Sequence, residues 1–417
     1  MRILSLQSGT SVDGIDVAVV DIDPVDESDR PVVRLTPVVA RTVAWSDATR
    51  ALLLAAVDGR SLTPAEFVRM DTLAGQEFAE AAAVAAEEAG GVELAVSHGQ
   101  TLHHWVEDGH ARGTLQVGQP AWIAERLGVP VLSDVRSADI AAGGEGAPLM
   151  GLFDRAWLAG EAAREGRPVA TVNLGGIANV QIVEPDGGLI AFDSGPANAL
   201  IDAAVSRATG GRQGQDTDGL LAATGRVDER LLRELLDHPY FSAPLPKSTG
   251  RETFDLALVD AAAARVGAEP ALPDLVATLT SLTARTVADA VRSSSSHIPS
   301  RAIVSGGGTR NPALMRALAA VLGLHGVAVT SSDALGIDAD HKESLLFAFV
   351  GFLSWHGVPA DLPGTPAGRA RVLGRLTLAP DSVPGRRLRG VAGLTLAADP
   401  ALAVAGDRRT DERTIRG

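Results

Sequence analysis

Residues 7–16 read Q-S-G-T-S-V-D-G-I-D, and this stretch decides the fold. One apolar run (3–6) precedes it and another (15–20) follows, so it reads as strand, glycine-rich turn, strand. Gly9 and Gly14 let the backbone bend tightly and leave amide groups uncovered. Ser8, Thr10 and Ser11 add hydroxyls, and successive amides in such a turn form a concavity that suits phosphate. Asp13 and Asp16 can hold Mg2+ or position a nucleophile, since Mg2+ takes one or two carboxylates together with phosphate oxygens. The same residue types are ordinary turn formers, so on this segment alone both readings stay open.

Working outward, the pattern recurs. Strand-like runs at 169–174, 180–183 and 189–192 surround the turn N-L-G-G-I-A-N at 173–179. Two strand–turn–strand units suggest a duplicated core with a cleft between its halves. A third turn, V-S-G-G-G-T-R-N-P at 304–312, follows a strand and opens a helix. Its glycines leave room for a flat base or a ribose close to the backbone. No G-K-[ST] follows them and no G-x-G-x-x-G is present, which excludes a Walker loop and a dinucleotide fingerprint there. Strands alternating with helices argue for α/β layers.

Other polar clusters sit at strand ends. Asp193 closes a strand just before a helix expected over 196–208, with Ser194 as a candidate cap. His98-Gly99-Gln100-Thr101 follows a short strand expected at 94–97. Residues 134–148, with Arg136, Asp139 and several glycines, read as a mobile carboxylate-binding loop or as a solvated linker. Residues 357–367 are a second candidate linker. Lys247 and Arg251, ahead of a helix, can meet phosphate or an acid. Lys342 and Glu343 open another helix, where surface exposure is the default expectation.

Composition sets the bounds. The chain has 417 residues and a formal charge of -14. That balance argues against nucleic acid and against anionic membrane surfaces, both of which are met by Lys and Arg. A nucleotide can still bind, through amides, helix ends and a metal. The absence of cysteine excludes disulfides, thiolate metal sites and cysteine nucleophiles. The first residues lack a secretory pattern, and no apolar run approaches the roughly 20 residues of a membrane helix, so a cytoplasmic protein is expected.

Taken together, the motifs resemble one family, the anhydro-N-acetylmuramic acid kinases of bacterial cell-wall recycling. The matching pieces are S-G-T-S-V-D-G-I-D at 8–16, S-H-G-Q-T at 97–101 and D-V-R-S-A-D-I-A-A-G-G-E-G-A-P-L at 134–149. N-L-G-G-I-A-N at 173–179, F-D-S-G-P-A-N at 192–198, K-S-T-G-R-E at 247–252, S-G-G-G-T-R-N at 305–311 and K-E-S at 342–344 complete them, in the family's order.

The resemblance implies a two-domain α/β fold of the actin-like ATPase (ribonuclease H-like) type, with an ATP cleft between the domains. The expected division is 1–140 plus about 358–395 for one domain and 141–357 for the other, with 396–417 as a flexible tail. The implied reaction is ATP-dependent phosphorylation of 1,6-anhydro-N-acetylmuramic acid, with hydrolytic opening of the anhydro ring. Asp193 is then the base that activates water. Gly9, Thr10, Ser11 and Asp13 meet phosphate and, at Asp13, Mg2+. Gly175, Gly176 and Asn179 form a second phosphate turn, and Gly306, Gly307, Gly308 and Asn311 border adenosine. His98, Gln100, Arg136, Asp139 and Glu343 fall on the sugar side.

The expected partner is a small amino sugar, with a homodimer as an open assembly state. Ala197 stands where the family commonly has Gly, Glu145 where it often has Gln, and Val135 where it often has Phe; the usual T-G-A order is altered at 365–368. Two alternatives are carried: a sugar or polyol kinase of the same fold acting on another substrate, and an ATP-driven interaction protein.

Overall fold

The computed structural model describes the chain except residues 10, 27, 29, 30, 246, 251, 252, 296 and 380–417. The expected tail, the end of the 358–395 segment, Thr10 and Arg251 therefore lie outside the described residues.

The first sheet holds β1 (Arg2–Ser8), β2 (Ile15–Pro24), β3 (Val33–Val43), β4 (Leu94–Glu107), β5 (His110–Val117) and β6 (Val131–Ser133). The second holds β7 (Val169–Leu174), β8 (Ile177–Val183), β9 (Leu189–Pro196), β10 (Arg301–Ser305) and β11 (Ala328–Ser331). A last strand, β12 (Arg375–Thr377), returns to the first sheet, antiparallel to β6.

The two sheets share one plan. In the first, β1–β2–β3 form an antiparallel meander, and β4 and then β6 join parallel to β1. In the second, β7–β8–β9 form the meander, and β10 and β11 join parallel to β7. The order is β6-β4-β1-β2-β3 in one and β11-β10-β7-β8-β9 in the other. The duplication suggested by two glycine turns is therefore present in the topology.

Helices cover the sheets: α1 (Asp47–Val57), α2 (Pro64–Glu88), α3 (Pro120–Leu127), α4 (Ser137–Ala141), α5 (Met150–Glu165) and α6 (Asn198–Thr209). They continue with α7 (Leu220–Thr224), α8 (Glu229–Leu236), α9 (Leu256–Val266), α10 (Leu272–Ser293), α11 (Pro312–Gly323) and α12 (Lys342–Trp355). Local chemistry sets their starts. Thr63 and Glu66 form a reciprocal capping box with Pro64 at the first helical position of α2.

Successive residues of β1 and β2 enter opposite cores, as the two-residue strand period requires. Leu4, Val17 and Val19 pack with Met70 and Phe78, while Ile3, Ala18 and Val20 pack with Leu346 and Phe347 of α12. Each large side chain buried this way, such as Phe78, contributes on the order of 1.5–3 kcal/mol. Both faces of the sheet are covered, which is why β1 and β2 read as continuous apolar runs.

Two helices join the halves. Leu152 and Phe153 of α5 belong to the core beneath the first sheet; Leu158 and Ala162 of the same helix belong to a core of the second. Helix α12 falls within 141–357, yet its buried face packs on the first sheet beside α5.

Three local expectations are corrected. The strand expected at 94–97 runs on to Glu107 and returns as β5, so His98–Thr101 lie in a sheet and not in a loop. Residues 134–148 are neither mobile loop nor solvated linker: they contain α4 and are pinned by Asp139, which is 1% exposed. Ser194 caps nothing; its hydroxyl donates to the Ala178 carbonyl, and α6 starts at Asn198 with no side-chain cap.

Candidate functional site

The halves meet at a cavity of about 440 Å³. Arg136, Asn179, Gly306, Gly307 and Glu343 line it, together with Asn173, Asp154 and Lys342.

Asp193 lies one hydrogen bond behind that wall. It faces Asn179 across the β8–β9 pair, and Asn179 Nδ2 donates to its Oδ1. Its Oδ2 accepts from Ser248 Oγ at 2.8 Å and from the Thr249 amide at 2.9 Å. Its backbone is held as well, by the Tyr240 hydroxyl on its carbonyl and the Lys247 carbonyl on its amide. Three donors thus fix the orientation of a half-buried carboxylate. Gly195 follows at φ +147, where an added Cβ would lie 2.7 Å from the Phe241 ring. The Lys247 ammonium donates to the Tyr240 and Phe241 carbonyls.

The three glycine turns differ in how they are built. In the first, Gln100 Nε2 donates to the Gly9 carbonyl, and Ser11 Oγ donates to Asp13 Oδ2 at 2.7 Å. Buried Val12 is held at φ +54, a costly conformation for a β-branched residue. Its amide donates to the Gly9 carbonyl and its carbonyl accepts from Arg50, which keeps Asp13 exposed at the tip. Ser8 is buried and accepts from the Trp45 ring.

In the second turn, the Gly175 and Gly176 carbonyls accept from the first amides of α6, and Asn198 Nδ2 donates to the Leu174 carbonyl. In the third, Gly306 has φ +85 and Gly308 packs on Leu174, while a Cβ on Gly307 would meet nothing within 4 Å. Asn311 caps α11 through the Ala313 and Leu314 amides.

On the opposite wall, Arg136 donates from Nη1 to the Gly146 carbonyl at 2.8 Å, and its Nη2 lies 3.2 Å from His98 Nε2. His98 is buried and stacks on Phe347. Burial first, and the Arg136 charge second, push its pKa well below the ordinary value, so the ring is neutral and Nε2 accepts. Glu343 is exposed to the cleft; partial loss of hydration among the surrounding protein raises its carboxyl pKa, Arg136 opposes the shift and Asp16 adds to it.

Asp139 does not face the cleft. It accepts from the Gly146 amide and from Thr365 Oγ1, bringing the altered 365–368 segment onto the Arg136 loop. Glu145 fastens the same loop to β5 through His110 and the Ala111 amide.

The default exposure expected for Lys342 is also overturned: its side chain is buried, with Nζ 2.6 Å from Oδ1 of fully buried Asp154. Sequence reasoning missed Asp154 altogether. Its signal was an acid inside the stripe Gly151, Asp154, Leu158, Ala162, which is the buried face of α5. Among the described residues no group of three or more His, Asp or Glu gathers as a metal cluster, and no helix is long and apolar enough to cross a membrane.

Two sheets of one order, with a cavity between them lined by Asn179, Gly306 and Gly307, define a two-domain fold of the actin-like ATPase type. The family model for anhydro-N-acetylmuramic acid kinase matches residues 1–379. Proteins of that name are similar over nearly the whole chain. The one from Streptomyces coelicolor is 49% identical over 93% of this chain and 94% of its own length. Those from Rhodococcus erythropolis (48%, covering 90% and 94%) and Xanthomonas campestris (42%, covering 89% and 96%) extend the similarity across distant bacteria. This chain belongs to the anhydro-N-acetylmuramic acid kinase family.

Proposed function

We propose that this chain transfers the γ-phosphoryl group of ATP to O6 of 1,6-anhydro-N-acetylmuramic acid while water opens the ring at C1. The products are N-acetylmuramic acid 6-phosphate and ADP. The single observation that carries the residue assignment is the Asp193 carboxylate, oriented by three donors beside a cavity lined by Asn179, Gly306 and Gly307.

Asp193 takes a proton from water, whose oxygen bonds to C1. The C1–O6 bond breaks, and O6 bonds to the phosphoryl group as ADP leaves. Opening an anhydro sugar ordinarily needs an acid for the leaving oxygen and a base for water. Capture of O6 by phosphorus removes the need for the acid, so one carboxylate suffices. The attacking water and the departing O6 are on opposite sides of C1, so inversion is expected.

The nucleotide fits the open side of Gly307 and the uncovered tip at Gly9, Ser11 and Asp13. An exposed carboxylate beside a hydroxyl suits Mg2+, which Asp13 would hold and which would offset phosphate charge. Gly175, Gly176 and Asn179 complete the phosphate side, while Gly306 and Gly308 shape the adenosine wall and Asn311 supports it. Arg136 and Glu343 face the sugar. His98, Gln100 and Asp139 act from behind, by holding Arg136, Gly9 and Gly146.

The test is ADP release with Mg-ATP against the anhydro sugar and a panel of free sugars and polyols. Release with the anhydro sugar alone supports the reading. Release only with a free sugar makes the chain an ordinary sugar kinase, with Asp193 deprotonating the acceptor hydroxyl.

A further inference from the structure

The buried Lys342–Asp154 pair has no part in the chemistry above, yet it lies in the floor of the cleft. We propose that Lys342 and Asp154 are a positioning pair that sets the spacing between Glu343 and Asp193, the carboxylates on opposite sides of the site. The catalytic consequence rests on the reading under Proposed function; the geometric one does not.

Asp154 sits where α5 passes from the first sheet's core to the second's, between Phe153 and Leu158. Its Oδ1 faces Lys342, the first residue of α12 and the immediate neighbour of Glu343. Its Oδ2 accepts from Thr171 Oγ1 on β7. Thr171 and Asn173 point to one face of β7, being two residues apart. Asn173 opposes Asn179, and Asn179 opposes and bonds Asp193. The pair therefore ties the start of α12, through α5, to the face of β7 that Thr171 shares with Asn173, opposite Asn179 and its partner Asp193.

Adhesion alone does not call for this arrangement. Burying two charges is costly before they attract, and well-packed apolar side chains often hold helices as firmly. What the ion pair adds is a fixed partner. Thr171 holds one Asp154 oxygen on β7 and the Lys342 ammonium lies 2.6 Å from the other, so charge ties the start of α12 to one point on β7. An apolar pair would leave that placement to packing. Reacting atoms tolerate little displacement, about 1 Å costing up to roughly a hundredfold in rate.

The experiment compares wild type with the double variant Lys342→Met/Asp154→Leu and with Thr171→Val. The readouts are Tm, ADP affinity, KM and kcat for the anhydro sugar, and a crystal structure of each variant. The double variant is expected to melt near wild type and bind ADP normally. Its kcat should fall about tenfold or more with little change in KM, and Glu343 should be displaced relative to Asp193. Thr171→Val should show the same kcat loss in weaker form, and it decides the matter if the double variant does not fold.

Lys342→Arg keeps the charge and should recover part of the rate. Normal kcat in a folded variant, or Glu343 and Asp193 superposing on wild type, overturns the proposal. If wild type itself shows no sugar-dependent turnover, the functional reading fails, and the two crystal structures still decide the geometric claim.

Discussion

Asn179 and Asp193 stand opposite each other on adjacent strands, and the amide of the first donates to the carboxylate of the second. This makes Asn179 the link between the cavity wall and the proposed base. Asp193→Asn is expected to bind nucleotide and sugar normally while kcat falls about a hundredfold or more, the usual scale for a lost general base. Asn179→Ala removes one of three donors and should cost roughly tenfold in kcat, consistent with one hydrogen bond to a charged group. Titration calorimetry beside steady-state kinetics checks both; near-normal turnover in Asp193→Asn would remove that residue from the mechanism.

The third turn predicts a contrast between neighbours. A methyl at Gly306 would lie 2.5 Å from Asn173 Oδ1, on a backbone at φ +85. Gly306→Ala should therefore lower Tm as well as nucleotide affinity. A methyl at Gly307 meets nothing within 4 Å of protein, so Gly307→Ala should melt like wild type and lose only nucleotide affinity. Melting curves with and without ADP separate the two; equal melting losses would contradict the account.

Asp139 holds the Arg136 loop from inside. Asp139→Ala leaves the Gly146 amide and the Thr365 hydroxyl without their acceptor, and should destabilise the protein by about 2 kcal/mol. Because Gly146 carries the acceptor for Arg136, the sugar KM should rise while nucleotide affinity stays. Urea unfolding and separate KM values for the two substrates test this.

His98 gives a pH dependence of defined sign. Its folded pKa is depressed, so below about pH 6.5 the unfolded chain takes up a proton that the folded chain refuses. Its contribution to stability is thus complete above that pH and is lost as the solution is acidified toward the lower folded value. The urea midpoint of wild type should fall between neutral pH and pH about 5, and His98→Gln should flatten that slope. An unchanged slope would show that His98 is not held neutral.

How much of this was legible in the sequence follows from what each signal reports. The repeated meander was readable because both sheets are covered on both faces, leaving apolar runs that stop at glycine turns. The start of α12 was readable at Lys342, just ahead of its apolar run. The β4–β5 hairpin was not, because its outer half is largely exposed, Trp105, Val106 and Leu115 included, and carries no core pattern.

The site divides in the same way. Gly306, Gly307 and Asp193 stood out because turns and strand ends punctuate the chain. Lys342 and Asp154 did not, because their meaning depends on two helices separated by nearly the whole second sheet. Asp139 and His98 were recognised as polar residues in a suggestive place; only packing shows that they act from behind the cleft wall.

The central claim is that Asp193 drives water onto C1 while O6 takes the phosphoryl group. The most direct measurement is mass analysis of the product made with Mg-ATP and 1,6-anhydro-N-acetylmuramic acid in heavy-oxygen water. The account predicts an opened sugar carrying one solvent oxygen at C1 and phosphate at O6, formed in step with ADP by wild type and not by Asp193→Asn. A phosphorylated product with its anhydro ring intact, or with no solvent oxygen at C1, would contradict it.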